Sequence, residues 1–265
     1  MILGKLYVAE AIEKVSSYLY DIREDVIAGS SGVADAERKV DESAVTFFDK
    51  KIESDLRKIL LDTKNGVGLY GEEFGVEGDA ETFWTIDPID GTEQYVRGNP
   101  FYTCMLSFVE AAVPRAALIY NYATDDLYTR LPDEQTMLNG EPIYVSDRPL
   151  DRSIVELEMR RDLPERSALI DAIDRRIYTN QKIAACAGFG MTQVIKGATE
   201  GRVQISGYGK LYDYLPGQIL VDGAGGVVQT PGEDVWDWAN LNSIVSNKLV
   251  AGELRNIIDG VLRAS

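Results

Sequence analysis

Two short acidic stretches limit what this chain can become. Gly71-Glu72-Glu73-Phe74 follows the apolar run 67–70, and Asp87-Pro88-Ile89-Asp90-Gly91-Thr92 follows the run 83–86. Both runs read as strands, being short, apolar and bounded by turn residues. If those strands pair side by side, four carboxylates meet at one end of a sheet. There they repel one another unless a cation stands between them. Hard oxygen ligands of this kind suit Mg²⁺, so the pattern points to magnesium and to phosphate chemistry. Each piece alone has an ordinary reading. A Glu-Glu pair is usually solvated, and Asp-Pro-Ile-Asp-Gly makes a serviceable turn, with Pro88 fixing one φ and Gly91 permitting a tight backbone.

Composition removes several alternatives. The chain has 265 residues, enough for one large domain or two intimate halves, which we expect at 1–146 and 147–265. The first half carries the acidic motifs. Acidic residues outnumber basic ones 43 to 27, a net charge of −16, which disfavours nucleic acid as a partner. Histidine is absent. That excludes a histidine general base, a Ser-His-Asp triad and histidine-ligated zinc. Cys104 and Cys186 sit in apolar surroundings and read as buried free thiols in a reducing cytoplasm. The first fifteen residues mix charge with apolar positions and read as an amphipathic helix, not a signal peptide. No apolar run approaches a membrane span.

Along the chain, Leu6, Ala9, Ile12, Val15, Leu19 and Ile22 recur at helical spacing. Residues 28–43 read as a loop. A second helix carries Phe48, Ile52, Leu56 and Ile59 on one face. Strands are expected at 102–109, 115–120 and 127–129, and Asn139-Gly140 is a hairpin signal. In the second half we expect strands at 154–159, 182–185, 203–205 and 225–228. Helices are expected at 167–173, from Gly188-Phe189-Gly190, from Asp213 to Gly223 and over 249–262. Pro216 should fall in the first turn of its helix, where a missing N–H is tolerated.

At the two acidic stretches the chain resembles the inositol monophosphatase-like, lithium-sensitive phosphatases. Their pattern is Glu-Glu, then Asp-Pro-Ile/Leu-Asp-Gly/Ser-Thr, then a distant Trp-Asp heading a helix. The flanks Trp84-Thr85-Ile86 and Glu93-Gln94-Tyr95-Val96-Arg97-Gly98-Asn99-Pro100-Phe101 also follow the family. The likeness runs from about Val45 to the end. It implies a layered α/β/α/β/α sandwich of the inositol monophosphatase / fructose-1,6-bisphosphatase type. It implies a Mg²⁺-dependent phosphomonoesterase, with two or three ions, acting on a small phosphorylated polyol or sugar. Fructose 1,6-bisphosphate, histidinol phosphate and 3′-phosphoadenosine 5′-phosphate are the alternative substrates; a non-catalytic metal-binding protein is the alternative class. A homodimer is implied as well.

The same resemblance assigns roles. Glu72, Asp87 and the Ile89 carbonyl hold a first ion; Asp87, Asp90 and a distant Asp hold a second. The ions clamp the phosphate, activate a water and stabilise the leaving oxygen. Thr92 orients the water with Asp49 behind it, a relay without histidine. Backbone N–H groups of Gly91 and Thr92 face the phosphate at a helix start. Glu73 supports its neighbour. Arg38 or Lys39 matches a loop lysine near the phosphate.

The third motif is altered. Leu211-Tyr212-Asp213-Tyr214-Leu215-Pro216 precedes Gly225-Gly226, with Tyr212 in place of Trp. Trp236-Asp237 spells the motif better but lies after the Gly-Gly strand, so order favours Asp213. Gly188 and Ser206 fall at family substrate positions. Ser206 stands where inositol-directed relatives place an acid, and a serine cannot accept two diol hydrogen bonds as a carboxylate can. Phe189 enlarges a position usually small. We therefore expect a broad specificity.

Overall fold

The protein is represented by a computed structural model that describes residues 4–30, 37–38, 44–63, 66–182 and 186–264. In chain order the elements are α1 (Lys5–Gly29), β1 (Glu37–Arg38), β2 (Ala44–Val45), α2 (Phe47–Thr63), β3 (Gly68–Gly71), β4 (Gly75–Glu77), β5 (Phe83–Asp90) and α3 (Thr92–Val96). Then come β6 (Thr103–Glu110), β7 (Val113–Asn121), β8 (Asp126–Arg130), β9 (Met137–Leu138) and β10 (Glu141–Pro142). The rest of the chain forms β11 (Ile154–Met159), α4 (Arg166–Asp174), β12 (Thr179–Gln181), α5 (Ala187–Ile195), β13 (Gly201–Ile205), α6 (Leu211–Gly223), β14 (Val227–Gln229), β15 (Ser243–Ser246) and α7 (Ala251–Ala264).

Two sheets organise these elements. The larger runs β10-β9-β8-β7-β6-β5-β3-β4, and the smaller runs β12-β11-β13-β15-β14. Strand alternation assigns each face of the larger sheet its own core. Cys104, Leu106, Leu118 and Tyr120 point one way, onto Ile12, Val15 and Leu19 of α1 and Ile52 and Leu56 of α2. Met105, Ala117 and Ile119 point the other way, onto Met191 and Val194 of α5 and Leu215 and Ile219 of α6. A third core joins Val155, Val203 and Ile244 of the smaller sheet to Leu169 and Ile173 of α4 and Leu254 and Ile258 of α7. The layers are therefore α1/α2, sheet, α5/α6, sheet, α4/α7, the α/β/α/β/α order expected. Each fully buried Leu or Ile in these cores contributes roughly 1.5–3 kcal/mol.

Local chemistry sets the elements that matter for the site. The α2 helix is capped by Thr46: its hydroxyl accepts the Phe48 N–H at 3.2 Å, and Asp49 accepts the Thr46 N–H at 2.7 Å. The β3 and β5 strands run parallel with Gly71 opposite Ile86, so the acidic stretches leave the sheet at the same end. The Asn139-Gly140 signal makes the β9–β10 hairpin, with φ of +50° and +85° at the two turn residues.

Some expectations shift. The strand expected at 182–185 falls on 183–185, which lie outside the described residues, as do Lys39 and the Arg38 side chain; a short strand, Thr179–Gln181, precedes it. Pro216 is not in the first turn, because α6 begins at Leu211. Its missing N–H removes the bond that would reach the Tyr212 carbonyl. The β15 strand, unanticipated, lies between β13 and β14 and antiparallel to both.

Candidate active site

A bulge in β5 builds the acidic centre. Asp87 pairs with Met105 and Asp90 with Thr103, so β5 spends one residue more than β6 over this interval. In a regular strand, residues three apart face opposite sides of the sheet. The extra residue cancels that alternation and lets both aspartates face one centre. Pro88 is tolerated in this buried strand because a bulge asks no ladder bond of it. Gly91 follows at φ +87°, where a Cβ would lie 2.5 Å from the Phe101 carbonyl oxygen, so only glycine fits.

Asp213 arrives from the N-terminus of α6. Carboxylate oxygens of Asp87, Asp90 and Asp213 all lie within 4.8 Å of one another. The Asp213 carboxylate accepts the Lys210 N–H, which fixes it in the first turn. Asp237 is elsewhere: exposed, in a turn where its carboxylate accepts the Ala239 N–H at 3.0 Å. Glu72 sits at the mouth, its N–H bonded to the Ile86 carbonyl at 3.1 Å.

The electrostatics are those of buried acids crowded together. Asp87 is 1% exposed, and neither of its oxygens accepts a hydrogen bond. Burial, then Glu72, Asp90 and Asp213, hold its carboxyl well above the usual range. Burial does the same to Asp213, with Asp90 adding to the effect and the Lys210 N–H opposing it. Asp90 is pushed up to about 6 by burial, restrained by the Cys186 thiol, the Gly188 and Ala187 N–H groups and the Arg202 charge. Those N–H groups come from the start of α5, at 2.6 Å for Gly188 and 3.2 Å for Ala187. A buried, unpaired carboxylate costs several kcal/mol. A hard divalent cation among oxygen ligands removes that cost, and the donor set fits Mg²⁺.

A hydroxyl–carboxylate pair stands beside this centre. The Thr92 Oγ1 lies 2.9 Å from the Ile89 carbonyl oxygen and 3.1 Å from Asp49 Oδ1, and its single proton can go to either. Asp49 is fully buried and pushed up to about 7, chiefly by burial, with Glu72 and Glu73 adding and Thr46 opposing. The α3 helix that Thr92 opens has five residues, so its dipole is weak and the backbone N–H groups act locally.

The substrate-side positions are distributed differently from one another. Gly188 spends its N–H on Asp90. Phe189 packs on Phe101, with ring centroids 4.8 Å apart. Ser206 directly follows β13, exposed, at φ +49°, with its N–H donated to Asn242 at 2.7 Å.

A sequence profile described as the inositol monophosphatase family matches residues 6–260. The chain belongs to the inositol monophosphatase family. Its relatives include a probable inositol 1-monophosphatase, ImpA, of Mycobacterium tuberculosis, 26% identical over 96% of both chains. A histidinol-phosphatase of the same organism is 27% identical over 84% of this chain and 77% of its own. Among solved structures, the Thermotoga maritima IMPase superposes with a TM-score of 0.81 at 22% identity, covering 92% of this chain and 94% of that one. Members of the family are metal-dependent phosphatases, and this chain is a phosphoric monoester hydrolase by membership.

Two charged groups near the centre escaped sequence reading. Arg202 is buried in β13 between Glu156, at 3.1 Å, and Glu158. Glu158 also accepts the Tyr214 hydroxyl at 2.7 Å, and Tyr214 accepts the Gly209 N–H at 2.8 Å. The network thus supports the loop that leads into Asp213. Glu53 is the other group, fully buried on α2 one turn beyond Asp49. Alternating charges on a strand and i, i+4 charges on a helix both read as solvated faces, so neither group announces itself.

Proposed function

We propose that this protein is a Mg²⁺-dependent phosphomonoesterase that hydrolyses a small polyol or sugar phosphate with water as nucleophile. The observation that carries the reading is Asp87: a buried carboxylate with both oxygens unpaired, facing Asp90 and Asp213. In this proposal Glu72, Asp87 and the Ile89 carbonyl would hold one ion, and Asp87, Asp90 and Asp213 would hold a second. When bound, the ions supply positive charge that binds the phosphate and makes water a competent nucleophile at neutral pH.

The chain's own residues supply the rest. Thr92 Oγ1 accepts a hydrogen bond from the attacking water while its own proton goes to Asp49. Asp49, pushed up to about 7, is matched to taking a proton near neutrality. Gly91 and Thr92 offer N–H groups to the phosphate. Gly188 and Ser206 border the leaving group, Gly188 by holding Asp90. With Ser206 carrying no carboxylate, the leaving group meets few fixed acceptors, and such a pocket discriminates weakly. Two buried free thiols, Cys104 and Cys186, suit a reducing cytoplasm, and we place the enzyme there as a homodimer.

The test is phosphate release from inositol 1-phosphate, fructose 1,6-bisphosphate, histidinol phosphate, 3′-phosphoadenosine 5′-phosphate and glycerol 2-phosphate, each with Mg²⁺ and with EDTA. We expect Mg²⁺-dependent release from several of the sugar and polyol esters at similar kcat/KM. Release that ignores EDTA would overturn the metal role; release confined to the adenosine bisphosphate would overturn the substrate class.

A further inference from the structure

The α2 helix carries a second buried acid whose carboxylate serves backbone, not substrate. Glu53 is fully buried. Its Oε2 accepts the Glu73 N–H at 2.6 Å, and its Oε1 accepts the Phe74 N–H at 3.1 Å. Arg57, one turn further on, donates to Oε1 through Nε at 2.9 Å and to the Gly75 carbonyl through Nη2 at 2.5 Å. The turn 71–75 that presents Glu72 is therefore gripped from below at three successive residues. Gly71 completes the fit, since a Cβ there would lie 1.9 Å from Glu53 Oε1.

We propose that Glu53, locked by Arg57, is a positioning residue that sets Glu72 for divalent-cation binding. Two lines converge on this. A fully buried carboxylate is costly unless its oxygens are satisfied, and here the partners are the N–H groups of the two residues that follow Glu72. Asp49 and Glu53 are also four residues apart, so one helical face holds the Thr92 relay and the Glu72 turn at once. A shift of α2 would move both together. Glu73, by this account, contributes through its backbone.

The inference rests on the proposed role of Glu72, so the experiment separates the two. Binding of Mg²⁺ alone is measured by isothermal titration calorimetry on the full chain, for wild type, Glu53→Gln, Glu72→Gln and the double variant. Folding is checked by circular dichroism. Gln keeps the length but offers one acceptor oxygen where two N–H groups and a guanidinium need two. Disturbing such a supporting partner typically costs 10- to 100-fold in metal affinity. We expect Glu53→Gln to weaken one class of Mg²⁺ site by about tenfold or more, and the double variant to match Glu72→Gln. Steady-state rates should recover toward wild type at saturating Mg²⁺, with KM for the ester unchanged.

A folded Glu53→Gln protein with a lowered melting temperature and unaltered Mg²⁺ affinity overturns the proposal and leaves Glu53 a structural residue. If Glu72→Gln itself leaves affinity unchanged, the ligand assignment fails instead. Should Glu53→Gln not fold, Arg57→Gln decides: it keeps the carboxylate but releases Gly75. A smaller weakening of Mg²⁺ binding supports the proposal, and unchanged binding overturns it.

Discussion

Asp87 concentrates the chemistry of this site in one side chain. Its two oxygens are buried without a hydrogen bond among three other acids, so the metal-free protein carries repulsion that exists only to be relieved. Replacing Asp87 with Asn removes the charge and keeps the shape. We expect Asp87→Asn to lose activity to background yet to melt at a higher temperature than wild type in EDTA, because the repulsion from Glu72, Asp90 and Asp213 is relieved. Phosphate release and thermal melts of the chelated proteins measure both; near-normal activity would remove Asp87 from the centre. A companion pair tests the last acid. Asp213→Asn should weaken Mg²⁺ binding and cut the rate by orders of magnitude, whereas Asp237→Asn should leave both unchanged. At this scale the sequence was most readable where residues sit in compact motifs. Order before Gly225-Gly226 singles out Asp213, although Trp236-Asp237 spells the motif better, and the fold brings Asp213 within 4.8 Å of Asp87 and Asp90. Glu53, Glu158 and Arg202 were not found, because their partners come from distant segments.

At the level of elements, the decisive features are the β5 bulge and the N-terminus of α5 that clamps Asp90. The bulge was not legible: Asp-Pro-Ile-Asp-Gly reads as a turn after the strand 83–86, whereas β5 runs on through Asp90 with the irregularity inside it. The α5 clamp was legible only as a glycine-rich helix start. Gly188 has no room for a side chain, since a Cβ would lie 2.2 Å from Thr103 Oγ1 and 3.0 Å from Asp90 Oδ2. Gly188→Ala should therefore cost about 1–3 kcal/mol through overpacking and lower kcat by displacing Asp90. Thermal melts and steady-state rates check it, and a stable, fully active variant would mean the clamp tolerates movement. The β15 strand was missed for a local reason. Its Ile244-Val245 core is flanked by Ser and Asn, too short a run for alternation to register.

For the molecule as a whole, the acidic centre ties stability to pH and to metal. Asp49 and Asp90 are pushed up to about 7 and about 6 from an ordinary 3.8. Between about pH 4 and pH 7 the folded chain holds protons that the unfolded chain has released, so stability falls as pH rises. Asp55, lowered to about 2 beside Lys51 and Lys58, acts only below that window. We expect the melting temperature in EDTA to decline from pH 5 to pH 8, and Mg²⁺ to recover most of the loss at pH 8 by binding the folded state alone. A flat or rising profile in EDTA would mean that the acids ionise without penalty in the fold. The layered architecture was expected from the family resemblance, and the fold has it; periodicity alone would not show it, because β5 and β6 are buried on both faces. The joint between the sheets, where α6 delivers Asp213, follows from chain order and not from any local signal.

The grip of α5 on Asp90 also has a timetable. Asp90 and the Ala187 N–H that holds it are 97 residues apart in the chain. At ribosomal speeds of about 5–20 residues per second, that interval is roughly 5–20 s. Over that lag Asp87 and Asp90 run ahead of the α5 and α6 residues that will enclose them. A nascent larger sheet would thus keep its acids in water, where ionisation costs little. Their burial waits for α5 and α6, complete at Gly223.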